Sequence, residues 1–241
     1  MDFINKNLRG ILFCFALAVP ATYLGKLFPV VGAPVFAILF GLAAAFWKPG
    51  IQFTAKKILQ YSIILLGFGM NLFEILAVGS QSLLIIVSTI GTALITAYIL
   101  SRIMNIERDI ATLVGVGSSI CGGSAIAAAA PVIKASDKDI AQSISVIFLF
   151  NVVAAFLFPA LGDMLGFTDT GFGMWAGTAI NDTSSVVAAG QTWASAHGSD
   201  TALNYATIVK LTRTLAIIPI CLGLAYITSK TKNTAADVKI T

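Results

Sequence analysis

The sequence predicts an all-α polytopic membrane protein with about six full spans and two broken helices that form re-entrant hairpins. Of the 241 residues, 57% are hydrophobic and 11% are charged, whereas a soluble domain carries about 25% charged residues. Apolar stretches of about 20 residues, the length that crosses a bilayer, follow one another along the chain. Two of these stretches are interrupted in the middle by glycine and polar residues.

Six continuous stretches are candidate spans. They are residues 10–28, 30–47, 58–78, 81–101, 140–161 and 203–228. The two broken stretches are residues 109–134 and 171–197. No extended polar linker divides the chain, so we expect residues 1–241 to form a single transmembrane transporter domain. Gly, Ala and Ser are abundant along the spans, as is typical where helices pack closely in lipid.

The interruptions lie at Gly117–Ser124 and Gly177–Ser184. Lipid cannot hydrogen-bond free N–H and C=O groups, so unwound backbone survives at membrane depth only where it lines a protein cavity. Paired broken helices in corresponding positions indicate the substrate site of a secondary transporter. The two segments also resemble each other at an offset of 60 residues. The matched pairs include Gly117 with Gly177, Ile120 with Ile180, Ser124 with Ser184, and Pro159 with Pro219.

Each broken stretch could be one discontinuous helix that crosses the bilayer, or a hairpin that returns to the side it entered. The positive-inside rule favours the hairpins. Hairpins place Lys134 and Lys138 on the cytoplasmic side with most other basic residues and leave Lys26 in an outside loop. Since one full span separates the two hairpins, they would enter from opposite sides, which is an inverted repeat.

The hairpin tips and two basic residues are expected to meet near the middle of the bilayer. A hairpin arm of about ten residues rises about 15 Å, half the hydrocarbon thickness. Helices that begin near Ser124 and Ser184 would direct their N-terminal ends, which attract anions, to this centre. Lys210 and Arg213 lie on one helix face at the same depth. A buried charge costs about 2.5–3.5 kcal/mol and needs a partner or a wet cavity. These groups together predict an anion site.

One lip of the predicted site comes from the first break, the other lip from the second, and the attracting charge from the basic pair. The candidate substrate-binding residues are Ser118, Ser119, Cys121, Gly122, Gly123, Ser124, Asn181, Asp182, Thr183, Ser184, Lys210 and Arg213. Asp182 could also neutralise a cation, carry a coupling proton or cap a helix. Asn71 and Asn151 could reach the cavity or form hydrogen bonds between helices.

The sequence has no nucleophile–base arrangement, metal-ligand cluster or phosphate-binding glycine motif. We therefore expect no enzymatic activity, no metal and no cofactor. Its basic residues do not cluster with aromatic residues as in a nucleic-acid-binding protein. The expected partners are a small anionic solute, the lipid bilayer, a coupling proton or cation, and a second copy of the chain in a homodimer, but no nucleic acid.

The chain resembles the YeiH-type family of bacterial inner-membrane proteins, which are described as sulfate exporters. The resemblance covers essentially the whole chain and is carried by Gly115–Gly122, Ala130–Ala135, Val186–Gly190, Lys210, Arg213 and Pro219. It implies a multi-pass carrier in the bacterial inner membrane that exports a small anion, such as sulfate or a small organosulfonate, by alternating access.

Two features depart from that family. Asn181 and Asp182 stand where such proteins often carry a His-Glu pair, which leaves a shared proton-coupling role open. Such proteins also continue with further spans after the basic segment, so we expect this chain to be a fragment or a shortened relative. Two other functions are compatible with the sequence. One is a proton- or cation-coupled antiporter centred on Asp182, with Lys210 as its structural partner, and the other is a non-transporting membrane scaffold subunit.

Overall fold

A computed structural model describes residues 2–27 and 71–237, together with isolated positions between 33 and 68. Within these residues the chain is helical and contains no strand, which confirms the all-α prediction. The predicted span 30–47, and the span 58–78 up to residue 70, lie almost entirely outside the described residues. The described helices are α1 (Asp2–Leu27), α2 (Leu72–Ile103), α3 (Arg108–Ser119), α4 (Gly123–Ile133), α5 (Asp137–Met164), α6 (Asp169–Ala179), α7 (Thr183–His197), α8 (Thr201–Thr214) and α9 (Ile217–Asp237).

Several described helical stretches have the length and apolar character that crossing a membrane requires. They are Ile75–Ile103 in α2, Asp137–Met164 in α5, and Thr201–Lys230 across α8 and α9. Large apolar side chains lie on their outer surfaces: Leu84, for example, is 80% exposed. An extensive exposed apolar surface is unusual for a soluble monomer, and it fits helices that contact lipid.

The predicted boundary between the spans 58–78 and 81–101 is wrong, because α2 continues without interruption through these positions. The serines in this region do not break the helix. The hydroxyl of Ser80 donates to the carbonyl of Ala77 at 2.9 Å, so the polar group is satisfied by its own helix.

The predicted span 203–228 coincides with the membrane-length stretch Thr201–Lys230, but it consists of two helices, α8 and α9, instead of one. Pro219 explains the interruption. A proline has no N–H to donate to the carbonyl four residues earlier, and its ring clashes with that carbonyl, which here belongs to Leu215. The backbone instead forms a tight turn in which the amide of Ala216 donates to the carbonyl of Arg213 at 3.1 Å.

α6 and α7 fold back on each other as the second hairpin. The indole Nε1 of Trp193, near the end of α7, donates to Asp169 Oδ1 at the start of α6 at 2.8 Å. The ring of Phe172 stacks on Trp193 with centroids 4.1 Å apart. The two ends of this broken segment therefore lie side by side. The indole hydrogen bond also lowers the pKa of the Asp169 carboxyl below its usual value, at the outer end of the hairpin.

α3 and α4 form the first hairpin, which turns at Ile120–Gly122. A Cβ added to Gly117 would lie 3.0 Å from the side chain of Ile126, so a residue before the turn faces one after it. The amide of Gly122 donates to the carbonyl of Gly117 at 2.9 Å. Gly122 has a φ of 70°, a conformation open to glycine but strained for most other residues.

α5 connects the two hairpins. Near its middle, Ile147 lies against Gly117 and Gly122 of the first hairpin. Near its end, Gly162 lies close to the rings of Phe172 and Trp193 in the second hairpin. A long apolar helix between two hairpins is the connection that an inverted repeat requires.

Each hairpin packs around its own apolar core. The first core is built on α3 and α4 and is joined by residues of α9, among them Ile217 and Ile220. The second core is built on α6 and α7 and is joined by Ala202 and Ala206 of α8. The chain between Thr214 and Ile217 therefore passes from one core to the other.

The hairpin topology predicts the side of the membrane on which the loop after α4 lies. We expect single cysteines at Lys134 and Lys138 to react with an impermeant maleimide from the cytoplasmic side, because α4 returns to the side where α3 begins. A cysteine at the exposed Asp200 is the matched control and should react from the outside. The background chain would have Cys14, Cys121 and Cys221 replaced. Labelling of positions 134 and 138 from the outside would show a crossing helix instead.

Candidate functional site

Lys210, on α8, joins the tips of the two hairpins. Its Nζ donates to the carbonyl of Ile120 at 2.7 Å and to the carbonyl of Ile180 at 3.3 Å. The side chain is 0% exposed. Ile120 and Ile180 are matched at the offset of 60 residues, so one cation contacts equivalent backbone atoms of the two hairpins.

Arg213 makes a second connection of the same kind. Its Nε donates to the carbonyl of Ser119 at 2.8 Å, and one Nη donates to the carbonyl of Ser118 at 2.7 Å and to Asn181 Oδ1 at 3.3 Å. The other Nη donates to the carbonyl of Thr178. Positions 118 and 178 are again separated by 60 residues, so the guanidinium also bridges matched positions.

The carbonyls that receive these bonds lie at the C-terminal ends of α3 and α6. The last carbonyls of a helix lack intrahelical partners, and that end of the helix carries partial negative charge. Lys210 and Arg213 supply these helix ends with both hydrogen-bond donors and positive charge. A hydrogen bond from a charged group contributes about 1.5–3 kcal/mol. The two hairpin tips are therefore fixed to α8 by charged donors.

The tips carry a surplus of positive charge. Lys210 and Arg213 are both buried, and in the described part of the chain neither forms an ion pair with a carboxylate. Asp182 is the one acidic residue within the two breaks. Two cations and one carboxylate leave a net positive charge, which is costly inside a membrane protein unless an anion or water balances it.

Asp182 caps α7. Its Oδ2 accepts hydrogen bonds from the amides of Ser184 and Ser185 at 3.0 and 3.2 Å, and also from the hydroxyl of Ser184. The chain's own carboxylate thus occupies the N-terminal end of α7. The end of α7 that was expected to attract an anion is therefore occupied by Asp182 in the role of a helix cap, and Ser184 donates to that cap.

The N-terminal end of α4 differs from that of α7. Its N-cap residue is Gly122, and no side chain of the described residues caps this helix. The first amide that donates along the helix is that of Ile126, which bonds to the carbonyl of Gly122 at 3.1 Å. Ser124 is exposed here, and its Oγ lies 2.8 Å from Cys121 Sγ. α4 therefore presents an open, electropositive end at the tip.

Asn151, on α5, lies between the two tips and is 2% exposed. Its Oδ1 accepts the amides of Asn181 and Asp182 at 2.9 and 3.2 Å. Its Nδ2 has no hydrogen-bond partner among the described residues, and a Cβ added to Gly122 would lie 3.6 Å from that nitrogen. A buried donor without a partner costs about 1–3 kcal/mol, so an acceptor at the open end of α4 would stabilise this arrangement.

The structure brings the predicted site residues together in three groups around the tips. Near the cations lie Ser118, Ser119 and Asn181; at the start of α4 lie Cys121, Gly122, Gly123 and Ser124; at the start of α7 lie Asp182, Thr183 and Ser184.

Two asparagines outside the breaks have different roles. Asn151 bonds to the turn of the second hairpin and lies beside the open end of α4, so both roles that the sequence left open for it are seen, although it was not among the predicted substrate-binding residues. A lone amide in the middle of an apolar span was the available signal. Asn71 is exposed at the start of α2, where its Oδ1 accepts the amide of Phe73 at 2.9 Å as an N-cap.

Comparison with known proteins identifies the family. The family model described as conserved hypothetical protein 698 matches residues 9–240. The chain is 60% identical over 235 residues to a UPF0324 membrane protein of Fusobacterium nucleatum, covering 94% of this chain and 68% of that protein. It is 57% identical over 235 residues to one of Streptococcus pyogenes, covering 95% and 69%. One from Streptococcus pneumoniae is 53% identical over 247 aligned positions, covering 100% and 73%. No solved structure matches the chain.

These relatives are named as membrane proteins, in agreement with the apolar helices of the fold. The predicted membrane location is thereby confirmed. The narrower assignments to a YeiH-type sulfate exporter and to the bacterial inner membrane stay predictions. The chain belongs to the conserved hypothetical protein 698 family, whose curated relatives are named UPF0324 membrane proteins.

Proposed function

We propose that this membrane protein is a secondary transporter that carries a small anion through a site at the hairpin tips. The observation that supports this function best is the positive surplus beside the open end of α4. Lys210 and Arg213 supply the charge, the N-terminal amides of α4 supply donors, and Asn151 supplies a further buried donor. Each of these groups favours a negative solute.

The two separate cores support an alternating-access mechanism. The first hairpin packs with α9, and the second packs with α8. Lys210 and Arg213 on α8 bridge from the second unit to backbone carbonyls of the first. Polar bonds of this kind can exchange partners as two rigid units rock against each other around a fixed site, which is how carriers with inverted repeats work.

The proposal is tested by anion flux in proteoliposomes, measured separately for sulfate, acetate and chloride. Replacing Lys210 with methionine keeps the apolar stem and removes the charge, so we expect flux to fall at least about tenfold, equivalent to about 1.4 kcal/mol. The control is Lys138→Met, since Lys138 is exposed in the first turn of α5, and it should leave flux unchanged.

The other candidate functions give different results in the same assay. Full flux in Lys210→Met would refute the anion site. An active Lys210→Met together with an Asp182→Asn variant that loses its pH dependence would favour the antiporter centred on Asp182. Wild-type protein that moves no anion and is not stabilised by any of them would indicate a scaffold subunit.

A further inference from the structure

We infer that the anion held at the tips is a small monocarboxylate, bound between the open end of α4 and Asn151; this inference rests on the proposed transport function. In each hairpin a helix begins directly after the turn, although the N-cap backbone differs, with a φ of 70° in the first hairpin and of −90° in the second. Gly122 and Asp182 are the N-cap residues of α4 and α7, and they are matched at the offset of 60 residues. One position carries a carboxylate, and the other carries no side chain.

Asp182 shows which chemical group the second hairpin holds at this place. Its Oδ2 receives the amides of Ser184 and Ser185 and the hydroxyl of Ser184. The matching donors of the first hairpin are the amides of Ser124 and Ala125. The hydroxyl of Ser124 joins them once it turns away from Cys121, whose Sγ lies 2.8 Å and whose carbonyl lies 3.4 Å from it. A carboxylate from solution can therefore take in the first hairpin the place that Asp182 takes in the second.

A second oxygen of the ligand also has a donor. Asn151 Oδ1 is fixed by two backbone amides, which directs the unpartnered Nδ2 toward the side of Gly122 that lacks a side chain. The other neighbours of this position are carbon atoms, because Ile147 Cγ2 and Asn181 Cβ lie 3.0 and 3.7 Å from the Cβ position of Gly122. Two oxygens of a carboxylate are satisfied here, whereas the third oxygen of a sulfonate would face a methyl group without a donor.

The charge of the tips selects a monovalent ligand. Lys210 and Arg213 exceed Asp182 by one positive charge, so one negative charge neutralises the group. A dianion such as sulfate would change the net charge of the tips from positive to negative. A buried net negative charge is as unfavourable in a low-dielectric site as a buried net positive charge.

Thermal unfolding of the purified protein in the presence of acetate, methanesulfonate or sulfate tests the inference. Acetate and methanesulfonate form a matched pair, because both are monovalent methyl compounds and they differ in a planar or tetrahedral anionic group. We expect acetate to stabilise the protein at a concentration at least about tenfold lower than methanesulfonate, equivalent to about 1.4 kcal/mol, with sulfate the weakest. Ser124→Ala should weaken the acetate effect several-fold, whereas Ser229→Ala, exposed on α9, should not.

The outcomes separate the ligand class from the transport function. If methanesulfonate or sulfate acts at the same or a lower concentration than acetate, the monocarboxylate is wrong and anion transport stands. If Ser124→Ala retains the full acetate effect, the hydroxyl of Ser124 is not a donor to the ligand, and the carboxylate arrangement inferred from Asp182 is overturned. If no anion stabilises the protein and none crosses the proteoliposome membrane, both proposals fail.

Discussion

Replacing Arg213 with alanine is expected to lower the free energy of unfolding by about 3–5 kcal/mol, because several buried carbonyls lose a charged donor at once. The guanidinium donates to carbonyls on both hairpins, and alanine leaves these buried acceptors without partners, at about 1–3 kcal/mol for each. At about 2–4 °C per kcal/mol for a chain of this size, the thermal midpoint should fall by about 6–20 °C. The measurement is thermal unfolding in detergent.

Two variants make the Arg213 result specific. Arg213→Lys retains the charge but loses the planar set of donors, so its midpoint should lie between those of the wild type and Arg213→Ala. Arg102 is exposed and stacks over the ring of Tyr98, so Arg102→Ala should change stability by less than about 1 kcal/mol. Equal midpoints for Arg213→Ala and Arg102→Ala would show that the tips are not held by this side chain.

Replacing Asn151 with aspartate is expected to abolish anion binding while the fold is retained. The carboxylate keeps an acceptor for the amides of Asn181 and Asp182. It also places a negative oxygen where Nδ2 now faces the open end of α4, and it cancels the positive surplus of the tips. The anion affinity should fall at least about a hundredfold, equivalent to about 2.7 kcal/mol, as measured by anion-dependent shifts of the thermal midpoint.

The matched control for Asn151→Asp is the same substitution in an exposed loop. Asn105 lies between α2 and α3 with a φ of 52°, a conformation that asparagine and aspartate both tolerate. Asn105→Asp should bind anions as the wild type does. Wild-type affinity in Asn151→Asp would place the anion elsewhere and remove Asn151 from the site.

The breaks and the basic pair could be predicted because their signals are local. Glycine and serine clusters inside apolar stretches mark unwound backbone, and Lys210 and Arg213 stand out because charges inside a span are costly. The partners of these cations could not be predicted in the same way. They are backbone carbonyls at the ends of α3 and α6, and every residue type supplies such a carbonyl.

The errors in helix boundaries also have physical causes. Ser80 interrupts the apolar pattern, yet its hydroxyl bonds back to the helix and α2 continues. Around Pro219 the apolar pattern continues, yet the missing amide divides α8 from α9.

The cap of α7 was recognisable, because aspartate directly before a helix start is a favoured N-cap, and that was one of the roles considered for Asp182. The open end of α4 could not be predicted from the sequence alone, because an uncharged glycine before a helix does not show whether the helix end is capped.

The most direct test of the tip site is an anomalous difference map from crystals of the protein grown with sodium bromide. Bromide is monovalent and can replace a small anion whatever the natural ligand is. We expect a bromide peak beside Gly122, within hydrogen-bond distance of Asn151 Nδ2 and the first amides of α4. Peaks confined to exposed arginines and lysines, with none between the hairpin tips, would contradict it.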